Sequence, residues 1–252
     1  IGLVLPTSLC SGQIAQLITK RLNQKKLGQD RGISRFVSLA HTEGCGVSGG
    51  SSERLYAQTL IGHLLHPMVG LGVLLEHGCE KTHNDYIKND LAQLGINGGK
   101  YGWASVQLDG GIDAVAEKIE RWFDQSVAEL QDPTYSEGFL RDLHIGLTSI
   151  GEITGHTASS LADFTQTIIG EGGTIVIPKN ATLLESFIYT TEVIGNQDWE
   201  PTISYGESQI EPGLHIMETP TSHVVETMTG LGATGVDMMV AHIVGHPIQS
   251  HR

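Results

Sequence analysis

Leu71-Gly-Val-Leu-Leu-Glu76-His77-Gly-Cys79-Glu80 opens as an unbroken apolar run and closes on a glycine turn, and the helix-like stretch Asn84–Leu94 follows it. A short apolar run with no polar alternation reads as a strand covered on both faces. The pattern occurs twice more upstream. Ile1-Gly-Leu-Val-Leu-Pro-Thr-Ser-Leu-Cys10 precedes the helix-like Gly12–Leu22. Phe36-Val-Ser-Leu-Ala-His41-Thr-Glu43-Gly-Cys45-Gly46 precedes the helix-like Ser52–Leu65. Three strand–turn–helix units in succession make a parallel sheet with helices on both faces.

Working outward, strands are predicted at Gly2–Leu5, Arg35–Leu39, Gly72–Leu75, Trp103–Gln107, His144–Leu147, Thr174–Ile177, Leu214–Met217 and Asp237–Val244. The remaining helices are predicted at Ile112–Leu130, Thr157–Ile169, Thr182–Ile194 and Ser222–Gly232. Ile112–Leu130 has the clearest helical spacing, with Val115, Ile119, Trp122, Phe123 and Val127 on one stripe. The polar, turn-rich Gln131–Gly138 reads as a linker. The fold class expected is therefore α/β: two Rossmann-like layered domains with mainly parallel sheets. Residues 1–132 form the first domain, which carries the cysteine motifs, and residues 139–252 form the second.

The bulk numbers narrow the function. The chain has 252 residues, 32 glycines and 17% charged residues, a globular composition with many tight turns. A net charge of −13 argues against nucleic acid or an anionic membrane as partner. No apolar run approaches the ~20 residues that span a bilayer. The start has no basic flank or cleavage-like site, so no signal peptide is read. It also lacks an initiator Met, and the natural chain is expected to extend upstream. Three cysteines cannot all pair, which points away from a secreted disulfide scaffold and toward the cytoplasm.

Those three cysteines carry the chemistry. Cys10, Cys45 and Cys79 each sit just after a predicted strand, and in an open α/β sheet the carboxyl ends of the strands form the ligand crevice. A single cysteine there reads first as a small buried hydrophobe. Three in equivalent places, with none elsewhere, read as one metal site, and thiolates favour zinc, copper(I) or iron–sulfur clusters. Three thiolates leave a coordination position open to substrate. His41, Glu43, His77, Glu80 and His83 crowd the same turns.

Other features are weaker. Gly44-Cys-Gly46-Val-Ser-Gly49 has the form of a dinucleotide fingerprint, with Glu76 ending the next strand. However, Ala40–Glu43 separates strand from glycine where that motif has a tight turn, so a nicotinamide oxidoreductase is the lesser reading. Gly44 and Gly46 can still offer backbone N–H groups to a carboxylate or phosphate at the start of a helix. His63 and His66 read as surface or capping residues near a helix end. Glu218 and His223 face one sheet edge as secondary candidates, with Thr221 or Ser222 as helix cap. His242, His246 and His251 lie near the C-terminus.

Pro6-Thr-Ser-Leu-Cys10, His41-x-x-Gly44-Cys45-Gly46 and Gly78-Cys79-Glu80-Lys81 occur in the order and at the spacing that resemble the galactarate dehydratase/altronate dehydratase family. Gly213-Leu-His-Ile-Met-Glu-Thr219-Pro220 is similar to that family's later region. The resemblance implies elimination of water from a sugar acid to give a 2-keto-3-deoxy acid, a requirement for iron, a homodimer, and a further small N-terminal domain not carried by this sequence. Carried over by motif, it marks Cys10, His41, Cys45, Cys79, Glu80 and Lys81. From the chemistry of those side chains, Cys10, Cys45 and Cys79 are expected to hold iron, as Fe2+ or a 4Fe-4S cluster, with His41 or Glu80 as the base and Lys81 holding a carboxylate. The second half departs from the family. Its glycine-rich stretch is replaced by Ser149–Thr157, a segment before the Thr-Pro motif is shortened between Glu192 and Glu211, and Glu226 stands where another cysteine is often found. A non-catalytic sugar-acid-binding relative is the alternative that these departures raise.

Overall fold

The computed structural model describes residues 1–44, 46, 49–195, 200–208 and 210–245. The chain forms two compact units, Ile1–Tyr135 and Ser136–Arg252. In the first, strands and helices alternate strictly: β1 (Gly2–Pro6), α1 (Leu9–Gln24), β2 (Phe36–Ser38), α2 (Gly50–Leu64), β3 (Leu71–Glu76), α3 (Asn84–Gln93), β4 (Gly102–Ser105) and α4 (Ile112–Glu129). The four strands are all parallel, in the order β2-β1-β3-β4.

Side-chain alternation along these strands builds two cores. Val4, Val73 and Leu75 point to one face and meet Ile14, Ile18 and Leu22 of α1 and Val115, Ile119 and Phe123 of α4. Leu3, Leu5 and Leu74 point to the other face and meet Leu60, Ile61 and Leu64 of α2 and Ile87 and Leu91 of α3. Both faces of β1 and β3 are covered, which explains runs with no polar residue. The α4 stripe read from spacing is the stripe that is buried, with Trp122 packed at its margin.

The second unit repeats the architecture with β5 (His144–Ile150), α5 (Gly155–Gly170), β6 (Thr174–Pro178), α6 (Phe187–Val193), β7 (Gly213–Met217), α7 (Val224–Ala233) and β8 (Met238–Ile243). Its sheet is also all parallel, in the order β7-β6-β5-β8. Two four-stranded parallel sheets clad by helices are the layered α/β class expected. One helix differs from expectation. The predicted Thr182–Ile194 is a 3-10 turn, Thr182–Glu185, followed by α6. Ser186 interrupts it: its hydroxyl accepts from the Tyr189 N–H, and a serine in that role starts a new helix rather than continuing the old one.

In the first unit the chain passes from β1 to β2 on one side, then returns across to β3 on the other. The connections therefore diverge between β1 and β3. Such a switch point opens a crevice beyond the carboxyl ends of the strands.

Candidate functional site

The loops after β2, β1 and β3 are neighbours because those strands are neighbours, and named hydrogen bonds join them. Thr7, at the end of β1, is the hub. Its hydroxyl donates to Glu80 Oε1 at 2.8 Å in the loop after β3. Its carbonyl accepts from the Tyr56 hydroxyl of α2 at 2.6 Å. Leu9 N–H donates to the Glu43 carbonyl at 2.6 Å, which ties the start of α1 to the loop after β2.

His41 lies half-buried in that loop. Its Nε2 is 2.9 Å from the Pro6 carbonyl and 3.3 Å from the Tyr56 oxygen. A carbonyl only accepts, so Nε2 carries the proton and the neutral ring keeps its lone pair on Nδ1. Nδ1 is shielded from solvent and makes no hydrogen bond among the described residues. Burial lowers the pKa of His41, and this outweighs the Pro6 carbonyl and the Glu43 carboxylate and backbone, which favour the charged form. Tyr56 packs edge-on against the ring, with centroids 5.4 Å apart, and burial pushes its phenol pKa up, so it stays a hydrogen-bond donor.

The sequence offers Glu80 as an alternative base to His41. Glu80 is buried, and its two oxygens accept four hydrogen bonds. Oε1 takes the Thr7 hydroxyl and the His77 N–H at 2.8 Å each; Oε2 takes the Gly78 N–H at 2.7 Å and the Cys79 N–H at 2.8 Å. Burial alone would raise its pKa, but the backbone and Thr7 hydrogen bonds more than offset this and hold it below the usual carboxylate range. That is the wrong direction for a base working near neutral pH. The turn that wraps the carboxylate needs Gly78 at φ +110°.

Beyond that turn, Cys79 is exposed and its Sγ lies 3.4 Å from His77 Nδ1. Cys10, also exposed, is the second residue of α1. Lys81 is exposed and makes no hydrogen bond or ion pair among the described residues. His83 is the N-cap residue of α3. Cys45 lies outside the described residues, as do His246 and His251. Gly44 is half-buried and Gly46 exposed, and a Cβ on either would meet nothing within 4 Å among the described residues. At the start of α2 the Gly49 N–H already donates to the Glu53 carboxylate of the first helical turn.

For iron, the donor chemistry fits: soft thiolates with imidazole nearby, on adjacent strand ends. Among the described residues no group of three or more His, Cys, Asp or Glu stands close enough to hold a metal ion.

Three participants were not read from spacing. Thr7 lies inside the Pro6–Cys10 motif but looks like strand filler. Tyr56 lies inside a helical pattern with no local signal of what its hydroxyl reaches. Glu76, read only as a strand end, is buried and accepts the Asn84 N–H at 2.6 Å, anchoring the first turn of α3. His63, expected at a surface or cap, is instead buried at 6% exposure, with its Nδ1 on the Thr59 carbonyl at 2.8 Å. The His66 side chain accepts from the Met68 N–H in the turn beyond α2 rather than from the helix itself. Glu218 and His223 are exposed; His223 is the N-cap of α7 with no side-chain cap, so neither Thr221 nor Ser222 caps the helix as expected, and the Thr221 hydroxyl instead accepts from the His223 N–H in the turn before it.

Residues 2–131, just over half of the chain, match the family described as D-galactarate dehydratase/Altronate hydrolase, second domain. No curated protein matches the chain. No helix among the described residues is long and apolar enough to cross a membrane.

Proposed function

This chain belongs to the D-galactarate dehydratase/altronate hydrolase family, and from that premise we propose that it removes water from a sugar acid such as altronate or galactarate to give a 2-keto-3-deoxy acid. The observation that carries the reading is the bonding of three adjacent strand-end loops through Thr7, Tyr56 and Glu80, at the switch point of a parallel sheet.

Dehydration of a 2,3-dihydroxy acid requires a base for the proton next to the carboxylate, a group for the negative charge that develops, and assistance to the departing hydroxyl. His41 is the base in this reading. It is held neutral by burial, and Nδ1 keeps the lone pair because Nε2 is committed to Pro6; Nδ1 is closed to solvent in this structure, so this role requires the loop after β2 to shift when substrate binds. Glu80 positions the loop rather than taking the proton. Lys81 holds a substrate carboxylate. The N–H groups of Gly44 and Gly46 supply further donors to an anion in this reading. Cys10, Cys45 and Cys79 would hold iron, as Fe2+ or a cluster, which supplies a Lewis acid for the developing charge and the leaving hydroxyl. Charge supports a substrate site on the first unit: residues 136–252 carry fourteen acidic and three basic residues, whereas residues 1–135 carry fourteen and twelve.

The test is turnover by the intact protein, purified anaerobically and supplied with ferrous iron, over a panel of hexonates and hexarates, with formation of 2-keto-3-deoxy acid measured directly. Keto acid from any member supports the reading, and loss of both iron and turnover on replacing the three cysteines by alanine supports the ligand set. Saturable binding of a sugar acid with no product would instead favour the non-catalytic binder raised by the departures around Glu226 and residues 192–211.

A further inference from the structure

We propose that Glu80 is a positioning residue whose carboxylate sets the shape of the His77–Cys79 turn, aims the Cys79 thiol, and locks that turn through Thr7 to the strand end that leads to Cys10. This rests on the reading of Cys79 as a metal donor.

The geometry argues it in three steps. The carboxylate accepts from three successive backbone amides, of His77, Gly78 and Cys79, so the turn is wrapped around one anion. Gly78 takes a left-handed φ of +110° to make that possible, and its Cα faces Gln107 closely enough that a Cβ would lie 3.0 Å from the Gln107 amide oxygen. The turn is thus pinned from inside by Glu80 and from outside by the segment after β4. The Thr7 hydroxyl then completes the coordination of the carboxylate from β1, across the switch point. A buried carboxylate with no cation beside it is kept only where its hydrogen bonds are complete. Here they are complete because the turn has this one shape. The thiol direction is a consequence: Cys79 donates its own N–H to Glu80 Oε2 while its Sγ stands beside His77 Nδ1.

Glu80→Gln separates this role from charge in general. The amide retains one oxygen, for Thr7 and His77, but sets an NH2 against the Gly78 and Cys79 N–H groups, donor against donor. Outer partners of metal ligands are typically worth about 10- to 100-fold in metal affinity. The measurements are ferrous iron affinity of the intact protein, by anaerobic competition with a chromophoric chelator, and amide hydrogen exchange at Gly78 and Cys79. The second readout does not depend on metal. We expect E80Q to melt as a folded protein, to exchange those two amides faster, and to bind iron at least tenfold more weakly. Thr7→Val should weaken iron binding about tenfold, the lower end of that range, and Thr7→Ser should restore it by returning the hydroxyl. Should E80Q fail to fold, the T7V and T7S pair decides the matter. Wild-type iron affinity in a folded E80Q, or in T7V, overturns this inference and leaves the proposed function standing. A wild-type protein that takes up no iron overturns the reading beneath it.

Discussion

Replacing Gly78 by alanine strikes the turn at its most constrained residue. The backbone there has φ +110°, a conformation that costs an L-residue about 1–3 kcal/mol. A steric charge adds to this. The new Cβ would lie 3.0 Å from Gln107 Oε1 and 3.1 Å from Gln107 Cβ. The amide oxygen can swing away, but the Gln107 Cβ cannot follow it easily, because the Gln107 N–H is bonded to the His77 carbonyl at 3.1 Å. Overpacking of this kind contributes about 1 kcal/mol or more, so G78A should destabilise the first unit by about 2–4 kcal/mol. Urea unfolding followed by tryptophan fluorescence reads this, since Trp103 and Trp122 both lie in residues 1–135. Gly44→Ala and Gly46→Ala are the controls. Neither glycine has positive φ, and a Cβ on either meets nothing within 4 Å among the described residues, so each should stay within about 0.5 kcal/mol of wild type. If G78A unfolds at the same urea concentration as these two, the account of the turn is wrong.

The pH dependence of His41 follows from the direction of its shift. Its folded pKa is lowered, so below about pH 6.5 the unfolded chain binds a proton that the folded one refuses, and stability falls as the solution is acidified. His41→Gln should flatten that slope between pH 7 and 5 by at most about 1.4 kcal/mol per pH unit, seen in parallel urea titrations of variant and wild type. Phe123, fully buried and edge-on to Phe36 at 4.9 Å, should cost about 3–5 kcal/mol as Phe123→Ala, by the same fluorescence assay. In the second unit, Gly230→Ala places a methyl group into the Tyr205 ring, whose hydroxyl is fixed on the Glu226 carbonyl. A loss of about 1–3 kcal/mol is expected there by thermal melting followed by circular dichroism.

The strands and helices were legible because burial on both faces leaves a strong imprint: Leu3–Leu5 and Val73–Leu75 carry no polar residue, and α4 carries a clean stripe. Where a polar side chain competes locally for the backbone, the reading slips, as at Ser186, where one expected helix becomes a 3-10 turn and a shorter helix. At the site, residue type was informative and role was not. Glu80 stands out as a carboxylate in a cysteine motif, but whether it is a base or an anchor depends on how many donors reach it. Those donors come from Thr7, far away in the chain, and from the turn it sits beside. Tyr56 gave no sign, because its partners are a strand-end carbonyl and a histidine of another loop.

The order of amino acids by itself determined the layered α/β class, the placement of the cysteine motifs after successive strands and the family, since these follow from local periodicity and from residue identity. Tertiary structure alone decided the strand order β2-β1-β3-β4, and with it which loops meet, which nitrogen of His41 keeps its lone pair and why Glu80 is spent on hydrogen bonds. The physical reason is that hydrogen-bond satisfaction and desolvation are properties of an enclosed volume, and residues far apart in the chain come to share one only after the sheet has closed around them.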